Sequence, residues 1–176
     1  MSVGVSIKPL TASDGGIYRA LMLRAYSEHP EAFTSTFEER AGKPVDWWTK
    51  RLTDPTTVTL GAFDATEALI GSARLEAFQR ARERHKVALA AVYVMKDYAN
   101  RGIGRRLVEE ALGASRRMNS VEIMNLTVTA DNLPAVRLFS RMGFQTFGRE
   151  IRAERSEGAY FDRLSMWRPV SADYIA

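Results

Sequence analysis

The segment Ala90 to Met118, AAVYVMKDYANRGIGRRLVEEALGASRRM, restricts what this chain can become more than any other. It reads as a strand, a tight glycine turn and a helix. Ala90 to Val94 is short, apolar and partly β-branched, as a buried strand is. Gly102 and Gly104 bracket Ile103, so the backbone can turn sharply there and leave its N–H groups uncovered. Beyond them Leu107, Val108, Ala111, Leu112, Ser115 and Met118 form one stripe of an α-helix. A helix that starts on a glycine turn points bare amides and the positive end of its dipole into the loop, which suits phosphate. Arg101, Arg105 and Arg106 add positive charge at the same place. Two familiar phosphate motifs do not fit. Leu107 occupies the third glycine of a dinucleotide fingerprint, and Arg105-Arg106 stand where a P-loop needs Lys-Ser/Thr. An ordinary strand–loop–helix turn is the plainer reading of this segment by itself.

A second segment narrows the choice. In Val121 to Phe144, VEIMNLTVTADNLPAVRLFSRMGF, a strand (Val121 to Val128) leads through Asp131-Asn132 into a short helix. Pro134 lies in that helix's first turn and Gly143 at its end, the usual places for these residues. The pair Val-x-x-x-Tyr-x-x-x-Gly-x-Gly (Val94 to Gly104) and Asn-x-x-Ala-x-x-Leu-Phe-x-x-x-Gly-Phe (Asn132 to Phe144) resembles the GNAT superfamily of acetyl-CoA-dependent N-acetyltransferases. The resemblance is strong over Gly71 to Phe144 and only architectural elsewhere.

That resemblance implies acetyl-CoA as acetyl donor and no metal. It implies that the pantetheine arm pairs with backbone groups of Val92, Tyr93 and Val94 like an added strand. It places the pyrophosphate on amides of Asn100, Arg101, Gly102, Ile103, Gly104 and Arg105. Asn132 resembles the family's pantetheine-bonding asparagine, although a plain N-cap before Leu133 explains it as well. Ala99 replaces the Arg or Gln usual three residues before the first glycine, so one side-chain donor is missing. The family's oxyanion donor, a backbone N–H on the central strand, would fall near Tyr93 or Val94. Two further departures concern protons. Thr127 stands where ribosomal-protein acetyltransferases of the superfamily keep a glutamate. Phe139, among the expected cofactor contacts, stands where many members carry a proton-donating tyrosine. A thiol is a good leaving group and water can remove an amine proton, so neither loss removes catalysis.

In chain order, the pattern predicts a strand over Val3 to Lys8 and a helix after Thr11-x-x-Asp14 with buried stripe Ile17, Ala20, Leu21 and Ala25, ending near His29-Pro30. Glu31 to Leu52 reads as one or two short helices carrying Phe33, Phe37, Trp47 and Trp48 with Glu38, Glu39 and Asp46 between them. Strands follow at Thr57 to Phe63, Ala68 to Phe78 and Lys86 to Val94, and a last hairpin spans Gln145 to Glu154 and Ala159 to Trp167. The expected architecture is α/β: one domain over residues 1–176, with a mixed central sheet flanked by helices. By resemblance, two central strands splay apart and admit the cofactor.

The chain has 176 residues and no cysteine, which excludes disulfides, thiolate zinc sites and a thiol nucleophile. No leader-like segment opens it and no run approaches a membrane span, so the expected location is the cytoplasm. Net charge +4 is mild, and the basic clusters at Arg80 to Lys86, Arg101 to Arg106 and Arg116-Arg117 read as solvated surface or phosphate contacts before nucleic-acid binding. A homodimer is expected only because the resembled family often forms one.

Candidate proton-handling groups are Tyr93 on the central strand and Glu76 on its neighbour. Glu38, Glu39, Tyr160, His85 and His29 are weaker nominees, each with an ordinary structural explanation. The expected activity is acetyl transfer from acetyl-CoA to the primary amine of a small, amino-acid-like acceptor. The alternatives are a protein or peptide acetyltransferase, and an acyl-CoA-binding module with little turnover.

Overall fold

A computed structural model describes residues 4–171. The strands and helices, in chain order, are β1 (Ser6–Pro9), α1 (Gly15–Glu28), α2 (Phe37–Ala41), α3 (Val45–Thr53), β2 (Thr57–Phe63), β3 (Leu69–Ala77), β4 (Lys86–Val94), α4 (Ile103–Arg116), β5 (Ile123–Thr129), α5 (Leu133–Arg141), β6 (Gln145–Ser156) and β7 (Ala159–Pro169). They form a seven-stranded sheet in the order β1-β2-β3-β4-β5-β7-β6. Every strand pair is antiparallel except β4 with β5, which the α4 crossover makes parallel. The expected mixed sheet is therefore present. Val3, where the first strand was expected to begin, lies outside the described residues.

Strand alternation divides the apolar side chains between two layers. One layer packs Leu75, Val87, Leu89, Met124 and Leu126 against the Leu107–Val108–Ala111 stripe of α4. The other packs Tyr93 and Phe63 against Tyr18, Met22, Trp48 and Leu52 of α1 and α3. The stripe expected on α1 is rotated: Ile17 is 46% exposed, whereas Tyr18 and Met22 are buried beside Leu21 and Ala25. Larger apolar side chains take the sheet-facing positions because they bury more area.

Two local devices set the site. Asn100 and Gly102 adopt left-handed backbone (φ 60° and 75°), which reverses the chain into α4. Ala91 does the same inside β4 (φ 51°). There the β3–β4 register slips between Ser72 and Arg74, a β-bulge that bends the strand. Ser72 Oγ donates to the displaced Ala91 carbonyl at 3.1 Å.

Candidate active site

β4 and β5 pair only over Lys86–Ala88 and Ile123–Asn125. Beyond those residues β4 runs on to Val94 and β5 to Thr129 with no register between them, while β5 keeps its pairing to β7 as far as Thr129. The strands part at their C-terminal ends, directly before the glycine turn. From Leu89 to Val94 the edge of β4 facing the parting has no strand beside it among the described residues. Such an edge offers backbone donors and acceptors to an amide-bearing chain laid alongside. Val92, Tyr93 and Val94 all lie on it.

The turn that follows gathers amides that lack acceptors. Gly102 is the N-cap of α4 and has no side chain to bond the first amides. Among the described residues the N–H groups of Asn100, Arg101, Gly102, Ile103, Gly104 and Arg105 find no acceptor, and the first bond into the helix is Arg106 N–H to the Gly102 carbonyl at 3.1 Å. Six adjacent bare amides at the positive end of a fourteen-residue helix fit a diphosphate. The arginines stand around this nest. Arg101 donates to the Asp97 carbonyl (2.9 Å) and lies over the Tyr98 ring. Arg105 is 69% exposed in its side chain and pairs with Glu109 (2.8 Å), a surface pair weak enough to exchange for a phosphate. Arg106 is turned away, donating to the Val5 carbonyl (2.9 Å).

Asn132 sits at the far lip of the parting, its N–H bonded to the Thr129 carbonyl at 3.0 Å. Its Oδ1 accepts from Ala135 N–H (3.3 Å), so it caps α5, and its amide nitrogen makes no hydrogen bond among the described residues. Phe139 is 6% exposed and meets Phe144 edge-on at 5.8 Å, in the layer under α4. Thr127 is exposed on the opposite face of β5 from buried Leu126 and Val128.

Of the two proton-handling candidates, the structure brings only Tyr93 to the parting. Its ring is 6% exposed. Its hydroxyl donates to Glu28 Oε2 at 2.8 Å, and Arg24 Nε donates to Glu28 Oε1 at 2.6 Å. The His29 ring lies edge-on to the Tyr93 ring at 6.1 Å. Burial, reinforced by the Glu28 carboxylate, raises the Tyr93 phenol well above its ordinary range. Arg24 first, and Tyr93 second, hold Glu28 below the usual carboxylate range. At neutral pH this is a fixed phenol on a fixed anion. Glu76 stands elsewhere. It is ion-paired with Arg74 and faces Ala88, whereas Tyr93 faces Ser72, four residues along β3 or roughly 13 Å away. His85 lies at the opposite end of β4, with its carbonyl accepting from Glu122 and Ile123 N–H. Glu39 is consumed by the capping box of α2 with Thr36. Tyr160 is half-exposed on the last hairpin under Arg152.

Glu28 is the residue that reading the sequence missed. Pro30 marked the end of α1, and Arg24 with Glu28 at i and i+4 was visible as one helix face. Nothing local says that this face meets Tyr93, sixty-five residues away.

A second hollow, of about 630 Å³, opens between the end of α1, α2 and the β6–β7 hairpin. Tyr26, Phe33, Phe37 and Phe161 form apolar walls, and Glu31 and Glu38 lie on its rim. Thr129 Oγ1 donates to the Glu31 carbonyl (2.7 Å), tying this rim to the end of β5. Among the described residues no group of His, Asp and Glu side chains could hold a metal ion, and no helix is long and apolar enough to cross a membrane.

Known proteins share this fold. The family model described as "Acetyltransferase (GNAT) family" matches residues 22–144. L-amino acid N-acetyltransferase AaaT of Escherichia coli (strain K12) is 26% identical over 147 residues, covering 83% of this chain and 89% of that protein. A mycothiol acetyltransferase of Clavibacter michiganensis is 30% identical over 164 residues, 89% of this chain, but the chain spans only 47% of that protein's length. The crystal structure of a GNAT-family acetyltransferase from Streptococcus pneumoniae superposes with a TM-score of 0.78 at 26% identity, covering 94% of this chain and 99% of the other.

Proposed function

The chain belongs to the acetyltransferase (GNAT) family of acetyl-CoA-dependent N-acetyltransferases, and on that premise we propose that it acetylates the primary amine of a small, amino-acid-like acceptor, with Tyr93 and Glu28 at the reacting end. The observation that carries this reading is the Tyr93–Glu28 pair at the edge of the parted strands. Acetyl-CoA supplies an activated thioester carbonyl. The amine nitrogen bonds to that carbon, the C–S bond breaks, and the thiol leaves with a proton while the nitrogen gives one up to solvent.

The residues that would hold the donor are the β4 edge from Val92 to Val94, the amides of Asn100 to Arg105, and the free amide nitrogen of Asn132. Phe139 would only buttress α5 behind Asn132. Tyr93 has its proton committed to Glu28, so its oxygen lone pairs remain to accept from the acceptor's N–H. The nitrogen becomes positive as it attacks. A carboxylate fixed behind the phenol stabilises that charge. Glu28 is held ionised by Arg24, which suits this electrostatic role and not proton storage. The small-acceptor reading is supported by the walled 630 Å³ hollow and by the E. coli relative's action on L-amino acids.

Thiol release measured over a panel of amino acids, polyamines and peptides tests the proposal. Turnover confined to peptides or protein N-termini would reject the small acceptor. Glu28→Gln is expected to lower kcat about 10-fold and Tyr93→Phe about 100-fold, with KM for acetyl-CoA unchanged in both. Unaltered kcat in both variants would remove the pair from the mechanism.

A further inference from the structure

A second cluster of polar groups lies inside the molecule, under α1 and α3, and the acetyl-transfer reading does not use it. Arg74 projects from β3 toward this layer, 8% exposed. Thr59, its register partner on β2, is 2% exposed on the same face. Tyr18 and Arg74 are hydrogen-bonded to each other. Trp48 stands edge-on to Tyr18 at 5.8 Å, and Trp47 edge-on to Trp48 at 5.0 Å. Arg40 and Arg51 each lie over the Trp47 ring, at 4.8 and 4.7 Å, and Arg40 also meets the Tyr26 phenol.

What these groups lack is an acceptor. Arg40 Nε, Trp48 Nε1, Thr59 Oγ1 and Arg74 Nε are buried and make no hydrogen bond among the described residues. Three of the four can only donate, and a hydroxyl can also donate. Three guanidiniums and two phenols share the neighbourhood. Two carboxylates stand nearby: Glu76, already paired with Arg74 at the 40%-exposed rim, and Asp54, whose Oδ1 is taken by Thr56. Burial pulls both Arg51 and Arg74 below their ordinary range; Arg40 pushes Arg51 further down, and Arg51 does the same to Arg74. A buried guanidinium N–H without an acceptor is costly. Water would satisfy the donors but would leave the excess positive charge in place.

We propose that the donor cluster of Arg40, Arg51, Arg74 and Thr59 is a binding site for a small monovalent anion, a halide or a formate-sized carboxylate. The Tyr18 end of the cluster lies ten residues, or about 15 Å, along α1 from Glu28, and its Tyr26 end adjoins the acceptor-side hollow. The anion would neutralise the excess charge and lock α3 onto β2 and β3.

The test is a titration of the intact enzyme with chloride, bromide, formate and acetate, with ionic strength held by sodium isethionate, a bulkier sulfonate. The melting midpoint and the emission of Trp47 and Trp48 are read together. A saturable rise in midpoint is expected for chloride, bromide and formate, with one half-point in both readouts. Arg51→Gln should raise that half-point at least about 10-fold, and Arg74→Gln should abolish the response. Should Arg74→Gln fail to fold, Arg51→Gln and Thr59→Val carry the test. Bromide anomalous scattering from a crystal should peak among the three guanidiniums. A rise that never saturates and is equal in wild type and Arg51→Gln, no rise at all, or water at the cluster in the bromide crystal would each overturn the proposal.

Discussion

The Tyr98 hydroxyl donates to Asp64 Oδ2 at 2.6 Å, joining the β2–β3 turn to the segment that enters the glycine turn before α4. The other oxygen of Asp64 accepts from Thr66 N–H, Thr66 Oγ1 and Ala68 N–H, so one carboxylate closes its own turn and braces a loop thirty-four residues on. A hollow of about 480 Å³ between them is lined by Thr66, Met95, Tyr98 and Arg101, next to the bare amides. Tyr98→Phe removes the brace and leaves the turn intact. The expected result is a several-fold rise in KM for acetyl-CoA with kcat for the acceptor little changed, measured by steady-state kinetics.

The same carboxylate sets an acid limit. Hydrogen bonds from Tyr98 first, and then Thr66, hold Asp64 down at about 2 in the folded chain. An unfolded aspartate titrates near ~3.9. A depressed carboxyl contributes stability that is complete above the unfolded value and is lost as pH falls from there through about 2. Melting midpoints taken between pH 5 and pH 2 should therefore fall less steeply in Asp64→Asn than in wild type. Parallel slopes would remove Asp64 from the acid response.

Gly102 holds φ at 75° with open space around its missing Cβ, so replacing it strains only the backbone. Gly102→Ala is expected to cost about 1 kcal/mol of stability and to weaken acetyl-CoA by about 10-fold in calorimetry, because the nest of amides must re-form around a disfavoured left-handed alanine. Unchanged affinity would show that the amides are not the phosphate grip.

Asn132 offers a separation of two roles. Asn132→Ser keeps a side-chain oxygen for the Ala135 amide and deletes the free amide donor. It should melt within about 0.5 kcal/mol of wild type while raising KM for acetyl-CoA. Asn132→Ala should lose the cap as well, about 1 kcal/mol. Equal KM in wild type and Asn132→Ser would make Asn132 a cap alone.

Local pattern carried a good deal of this molecule. β2 and β4 occupy the predicted residues, Thr57–Phe63 and Lys86–Val94, because runs of β-branched and apolar residues between turn signals read unambiguously. The glycine turn and α4 were legible because φ at Gly102 and the helix start are settled within a few residues. The stripe of α1 was misread by one position because Ile17 and Tyr18 both suit an apolar face, and only the sheet beneath chose between them.

Sequence alone thus determined the glycine turn, the strand before it and the helix after it, since each depends on neighbours along the chain. Tertiary structure alone decided where β4 bends and which acid faces Tyr93. A bulge at Ala91 exists only against the register of β3, and Glu28 meets Tyr93 only because α1 crosses the sheet at that height. Backbone conformation is governed over a turn or two of chain, whereas the pairing of a carboxylate with a phenol depends on where two remote segments pack.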